Sequence, residues 1–185
     1  ESYYSSVLRV MGVKYDLSSL DSQRIPKTGG VLIVANHPFG MVEGVVVGAL
    51  LDRVRPDVRV MANSLLAHFP RIAERCILVN PFGGEQARLA NRQGMKQAIA
   101  WMRSGGALVI FPSGEVSSLD IRRRQIADPP WSQTVARLAR LAQVPVLPLY
   151  FEGRNSIAFQ LGGVIHPRLR TALLVREFLN KSGKT

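Results

Sequence analysis

Val31-Leu32-Ile33-Val34-Ala35-Asn36-His37-Pro38-Phe39-Gly40-Met41-Val42-Glu43-Gly44 is the stretch whose reading decides the fold. Its first five residues form an unbroken apolar run rich in β-branched side chains, the pattern of a strand covered on both faces. Asn36 to Gly40 carries turn chemistry, with Pro and Gly setting a tight reversal. Beyond it Val46, Leu50 and Val54 recur at helical spacing, which predicts a helix over 43–54. Strand, polar turn and helix in this order open a βαβ unit.

Outward from that stretch the rhythm repeats. Further strands are expected at 58–62, 76–80, 107–111 and 146–151. A helix over 87–103 carries Met95, Ile99 and Met102 on one face, and Gly105-Gly106 closes it. Ser132 reads as the N-cap of a further helix with Val135, Leu138 and Leu141 facing inward. The expectation is a single α/β domain with a mostly parallel central sheet flanked by helices, over residues 29–180. Residues 1–28 read as a helical or loop lead-in, and Pro129-Pro130 as a loop rather than a boundary. A length of 185 residues suits one domain. The chain starts without Met and stops at Asn180-Lys181-Ser182-Gly183-Lys184-Thr185, so both ends read as cuts from something longer, with 181–185 a truncated end. The best apolar run, Val45 to Leu51, ends at Asp52, far short of the roughly 20 residues a spanning helix needs.

Sheets of this kind place their chemistry beyond the C-terminal ends of the strands. Three polar clusters fall there: Asn36-His37-Pro38-Phe39-Gly40, Asn80-Pro81-Phe82-Gly83-Gly84 and Pro112-Ser113-Gly114-Glu115. Glu43 lies in the first turn of its helix and can lean back toward His37. A carboxylate against one imidazole nitrogen fixes the tautomer and leaves the other nitrogen free to take a proton from a hydroxyl or amine. The same spacing also fits a turn histidine and an acid favoured by the helix dipole. No Gly-x-Ser-x-Gly elbow is present. His68 and His166 lack a second ligand at helical spacing, so no metal site is expected. The single cysteine, Cys76, reads as a small buried hydrophobe in a strand.

Asn36 to Gly44 resembles the first motif of the PlsC-type glycerolipid acyltransferases. Phe111-Pro112-Ser113-Gly114-Glu115-Val116-Ser117 is similar to that family's Phe-Pro-Glu-Gly-Thr-Arg-Ser block, and Val144-Pro145-Val146-Leu147-Pro148 to its late Val-Pro-Val-x-Pro block. The resemblance covers Gly29 to about Phe151. There are departures. The family's acid position is Val42 here, with Glu43 one further along; Pro81 stands where the family has a phosphate-holding Arg; and Ser113 and Glu115 replace the Glu and Thr of the second block. These variants resemble a bacterial haemolysin-like branch that includes O-acyltransferases making ornithine- or glycine-type aminolipids. The resemblance implies a thioester-dependent acyltransferase, with His37 as general base and Glu43 orienting it. Asn36, Phe111, Pro112, Ser113, Gly114 and Glu115 would line the substrate site, with backbone N–H groups around Ser113-Gly114 facing an oxyanion or an anionic headgroup. The missing Arg fits an acceptor without a glycerol phosphate, although Arg88 or the Arg122-Arg123-Arg124 run could replace it. The acceptor would be a lyso-lipid, either a lyso-aminolipid or a lysophospholipid. The co-substrate would be acyl-carrier protein or acyl-CoA, and no further cofactor is implied.

The formal net charge is +11, from 24 Lys+Arg against 13 Asp+Glu, and arginine outnumbers lysine 19 to 5. With 46% hydrophobic and only 20% charged residues this is no disordered basic tail. Arg53, Arg55, Arg59, Arg122-Arg123-Arg124, Arg137 and Arg140 read as a solvated basic face. That face suits an anionic membrane surface, with Phe69, Trp131 and Phe159 as core residues or interface contacts, or an acidic acyl carrier. It places the protein peripherally on the cytoplasmic face of the inner membrane. Two rival readings stand beside the enzyme: a basic nucleic-acid-binding module, which lacks any recognisable motif, and a catalytically inactive lipid-binding domain. No nucleic-acid partner is expected.

Overall fold

The five apolar runs become five parallel strands in the computed structural model, which describes residues 2–80, 84–165 and 167–180. The strands are β1 (Val31–Ala35), β2 (Val58–Asn63), β3 (Cys76–Val79), β4 (Ala107–Ile110) and, last in the chain, β7 (Val146–Leu149), in sheet order β3-β2-β4-β1-β7. β1 runs between β4 and β7, with Val34 opposite Ile110 and Ala35 opposite Leu149. All five residues of β1 are buried.

Alternation along the strands divides the core. Val31, Ile33 and Val109 point to one face and meet Val47, Leu50 and Leu51 of α3 (Met41–Asp52). Leu32, Val34, Leu108 and Ile110 point to the other. There they meet Ala98 and Met102 of α5 (Glu85–Arg103) and Leu138 and Ala142 of α6 (Thr134–Ala142). Burying each such aliphatic side chain contributes about 1.5–3 kcal/mol, so this three-layer packing carries the fold.

The helix after β1 differs from its expected stripe. α3 is buried nearly all round, at Val42, Glu43, Val46, Val47, Gly48, Ala49, Leu50 and Leu51. The cause is α1 (Tyr3–Met11), which covers the face away from the sheet with Tyr4 and Leu8. Contact is closest at Gly48, where an added Cβ would lie 2.5 Å from the Tyr4 ring. Gly48→Ala is therefore expected to push α1 outward and lower stability by about 1–3 kcal/mol. A thermal melt checks this, and an unchanged midpoint would contradict the packing.

Other boundaries shift slightly. α5 ends in a Schellman pair, Gly106 N–H to Trp101 O at 3.0 Å and Gly105 N–H to Met102 O at 3.1 Å, as the Gly-Gly pair suggested. α6 begins two residues after Ser132, whose Oγ still accepts the Thr134 N–H at 3.2 Å. Leu141, expected inside, is 43% exposed, and Ala142 takes the inward position. Phe159 is fully buried and belongs to the core, whereas Phe69 and Trp131 are exposed.

Short elements complete the chain: α2 (Ser19–Gln23), a 3-10 turn (Ser64–His68), α4 (Pro70–Ala73), α7 (Ile157–Ile165) and α8 (Pro167–Asn180). Between β4 and α6 lies an antiparallel hairpin that the sequence reading did not anticipate, β5 (Ser118–Asp120) with β6 (Gln125–Ala127). No helix among the described residues is long and apolar enough to cross a membrane.

Arg55 is the largest departure from the expected basic face. Its side chain is completely buried at the N-terminal end of the sheet. Nε and Nη2 form a fork onto Asp57, both at 2.7 Å. Nη1 donates to Pro26 O at 3.1 Å, and Nη2 also donates to Gly29 O at 2.9 Å and Gly105 O at 2.8 Å. This arginine is an internal tie, not part of a docking surface. Arg59 is also engaged, its guanidinium 4.1 Å from the centroid of the Trp101 ring.

Candidate active site

The loops after β1, β4 and β7 meet at the C-terminal edge of the sheet, and His37 stands between them. Its backbone path is fixed from several sides. Asn36, just before it, clamps β7: Nδ2 donates to Phe151 O at 2.8 Å and Oδ1 accepts the Phe151 N–H at 2.7 Å. On the other flank Asn155 Nδ2 donates to Phe39 O at 3.2 Å. Asn36, expected to face substrate, thus spends both ends of its amide on positioning the loop.

Glu43 closes the loop from within. It is fully buried, at the third position of α3, and its Oε1 accepts the Phe39 N–H at 2.5 Å and the Gly40 N–H at 3.1 Å. The second of these is the helix-start contact in which an acid reaches back to the residue before the helix. Gly40 sits at φ +97, and a Cβ there would come within 2.8 Å of Leu174 and 3.2 Å of Val116. The residue is glycine for both reasons.

The same Oε1 lies 3.3 Å from His37 Nδ1. Among the described residues Nδ1 makes no hydrogen bond of regular geometry, so this is a close approach at an unfavourable angle. Glu43 Oε2 is buried with no hydrogen-bond partner among the described residues. With Oε1 on two backbone N–H groups, the carboxylate is fixed beside the ring, where it can offset the charge that an imidazole gains on taking a proton during a reaction. The Phe111 ring stacks on the imidazole at 4.5 Å between centroids and 28° between planes. With 17% of the His37 side chain exposed, the edge away from Glu43 is what a hydroxyl can reach.

The loop after β4 is more occupied than expected. Gly114 N–H donates to Phe111 O at 3.0 Å, closing a turn through Pro112 and Ser113, and Ser113 Oγ donates to Glu115 O at 2.8 Å. In this arrangement the Gly114 N–H is not free to meet an oxyanion. Glu115 is exposed. Arg88 is exposed on α5, and Arg122 is exposed in the turn between β5 and β6, at the far end of the hairpin from His37. Pro81, Phe82 and Gly83, the middle of the Asn80–Gly84 cluster, lie outside the described residues, as does His166. Asn80 before them is held by Asn91, which accepts its N–H at 2.6 Å and donates to its carbonyl at 2.8 Å.

Asp128 was missed, and Ser117 entered only as the last residue of the block after β4, with no role given to it. Ser117 N–H donates to His37 O at 2.8 Å, and Asp128 Oδ1 accepts the His37 N–H at 3.1 Å. For Asp128 the turn signal at Pro129-Pro130 was the nearest pointer, because three-residue strands leave no period to read.

A protein of Phocaeicola vulgatus named lyso-glycine lipid O-acyltransferase is 30% identical over 161 residues, covering 85% of this chain and 53% of that protein. A protein of the same name from Bacteroides thetaiotaomicron is 29% identical over 161 residues, covering 85% of this chain and 55% of the relative. The chain thus spans about half the length of the curated relatives it matches. The model of the family described as Acyltransferase matches residues 1–178, nearly the whole chain, which therefore belongs to the acyltransferase family.

Proposed function

We propose that this chain is the acyl-transferring domain of an enzyme that moves a fatty acyl group from a thioester to the hydroxyl of a lyso-lipid. The single observation carrying the reading is His37, held with Nδ1 at 3.3 Å from the buried Glu43 and its outer edge reachable. In the reaction His37 takes the proton of the acceptor hydroxyl through its outer nitrogen. The alkoxide oxygen attacks the thioester carbonyl and forms a tetrahedral oxyanion. Collapse breaks the C–S bond; the thiolate leaves with the electron pair and takes the proton back from the imidazolium. Ester and thiol are the products, and no acyl-enzyme is needed.

The acceptor we favour is a lyso-aminolipid, with a lyso-glycine lipid first because two relatives carry that name. A lyso-ornithine lipid or a lysophospholipid is the next choice. The donor is acyl-carrier protein or acyl-CoA. Work at the anionic cytoplasmic leaflet is supported by the exposed Arg122-Arg123-Arg124 turn and by Arg137 and Arg140. Ile157, Leu161 and Ile165 add exposed apolar surface on α7, which has no charged residue. Arg55 contributes nothing to this face.

The test is direct. Full-length protein is given a lyso-glycine lipid in vesicles with and without anionic lipid, together with acyl-carrier protein or CoA thioesters. O-acylated lipid and free thiol should appear in equal amounts, faster on anionic vesicles at low salt. Thiol release without lipid product would refute the transfer. Equal rates on neutral vesicles would remove the role given to the arginines. Salt-dependent DNA binding with no thioester consumption would favour the nucleic-acid reading.

A further inference from the structure

The β5–β6 hairpin is closed at one end by its arginine turn and open at the other, where it meets His37. Register places Ser118 opposite Ala127, so the next residues outward, Ser117 and Asp128, face each other. Ser117 Oγ donates to Asp128 Oδ1. That same oxygen accepts the His37 N–H at 3.1 Å, while Ser117 N–H donates to His37 O at 2.8 Å. Both backbone polar groups of the catalytic histidine are therefore held by the open end of one hairpin. The other carboxylate oxygen, Oδ2, accepts the Trp131 indole N–H at 3.0 Å.

A carboxylate suits this place. Three donors converge, a peptide N–H, a hydroxyl and an indole N–H, and only an acceptor-only group with two oxygens satisfies them all. An amide of the same shape offers one oxygen and must point its own N–H groups at a donor. Ser117 is 5% exposed, so its hydroxyl has little access to water as a substitute partner.

Glu43 holds the His37 loop downstream, through Phe39 N–H and Gly40 N–H, and touches the imidazole. Asp128 holds it at the His37 N–H itself and touches no reacting atom. From this division the geometry points to Asp128 as a positioning residue. Latched to Ser117 and to the His37 backbone, its carboxylate keeps the imidazole in line between Glu43 and the acceptor hydroxyl. The inference rests on the acyl-transfer reading and deepens it.

The test compares wild type, His37→Ala, Trp131→Phe, Asp128→Asn and the double variant Trp131→Phe/Asp128→Asn in the full-length protein. It measures kcat, both KM values and the melting midpoint. Asp128→Asn should lower kcat by tens-fold, up to about 10²-fold for a displacement near 1 Å, with both KM values within about twofold. The double variant should recover most of that loss against its Trp131→Phe parent. With the indole N–H gone, the amide can turn its oxygen to His37 and Ser117 without facing a donor. If Asp128→Asn fails to fold, Asp128→Ala in the Trp131→Phe background decides: a kcat tens-fold below Trp131→Phe supports the latch, and a kcat within twofold of it overturns the proposal. A kcat within twofold of wild type in Asp128→Asn would overturn the proposal. So would a loss in which KM rises in step, or one the double variant does not relieve. Should wild type and His37→Ala both fail to transfer acyl groups, the acyl-transfer reading itself has failed. The latch is then judged by diethylpyrocarbonate modification of His37, followed by mass spectrometry. Faster modification in Asp128→Asn than in wild type supports the latch, and equal rates overturn it.

Discussion

Replacing His37 with Ala is expected to lower acyl transfer by about 10²–10⁴-fold, which is about 2.7–5.5 kcal/mol of barrier. The melting midpoint should move by only a few degrees. The separation follows from how little the fold asks of this side chain. Among the described residues its Nδ1 makes no regular hydrogen bond, and its ring stacks on Phe111 alone. The loop around it is tied by groups that remain: Asn36 on Phe151, Asn155 on Phe39, and Glu43 on the N–H groups of Phe39 and Gly40. Glu43→Gln is the informative companion. Its amide oxygen can still accept both backbone N–H groups, so the loop keeps its shape while the charge beside Nδ1 disappears. An intermediate loss of rate is expected, because the imidazolium then forms without its counter-charge. The readout is initial thiol release alongside lipid product, with melting curves for each variant. Full activity in His37→Ala, or a loss that only tracks unfolded protein, would remove the histidine from the mechanism.

Why the fold was legible, and part of the site was not, is a matter of period and partner. Val31 to Ala35 and Ala107 to Ile110 are buried on both faces, so the sequence has to be apolar without interruption, and such runs are visible. His37 and Glu43 were legible because each follows directly from the strand-turn-helix step. The stripe expected on α3, Val46, Leu50 and Val54, does lie inside, but it is only part of the buried surface, since α1 covers the helix on the side away from the sheet. The β5–β6 hairpin escaped because its strands are three residues each, too short for alternation to register. Asp128 escaped with it: nothing local distinguishes an aspartate before two prolines from any loop acid until the hairpin register sets it opposite Ser117. The arginines were read as one population, because charge counting is blind to burial.

Arg55 is where that blindness has the largest consequence, and Arg55→Met is expected to destabilise the domain by about 3–5 kcal/mol. At roughly 2–4 °C per kcal/mol for a chain of this size, the midpoint should fall by about 10 °C. The side chain has no solvent exposure, and its loss strands the carbonyls of Pro26, Gly29 and Gly105 together with the Asp57 carboxylate. Those carbonyls sit where β1 and β4 begin, the two strands whose far ends carry His37 and Phe111. Arg55→Lys should be nearly as damaging, because one ammonium cannot reproduce the fork onto Asp57 while reaching three carbonyls. Acid provides a second signature. Hydrogen bonds from Arg55 hold the Asp57 carboxyl below its ordinary value, with burial opposing. A depressed carboxyl contributes stability that is present above its unfolded value of about 3.9 and is lost as pH falls through the folded one. Wild type should therefore lose stability in that acid window, and Arg55→Met, with nothing left to lose there, should show a flatter limb. At low temperature, where the variant is still folded, kcat should stay near wild type, as should the salt dependence of vesicle binding. Weaker vesicle binding with an unchanged melt would return Arg55 to the basic face.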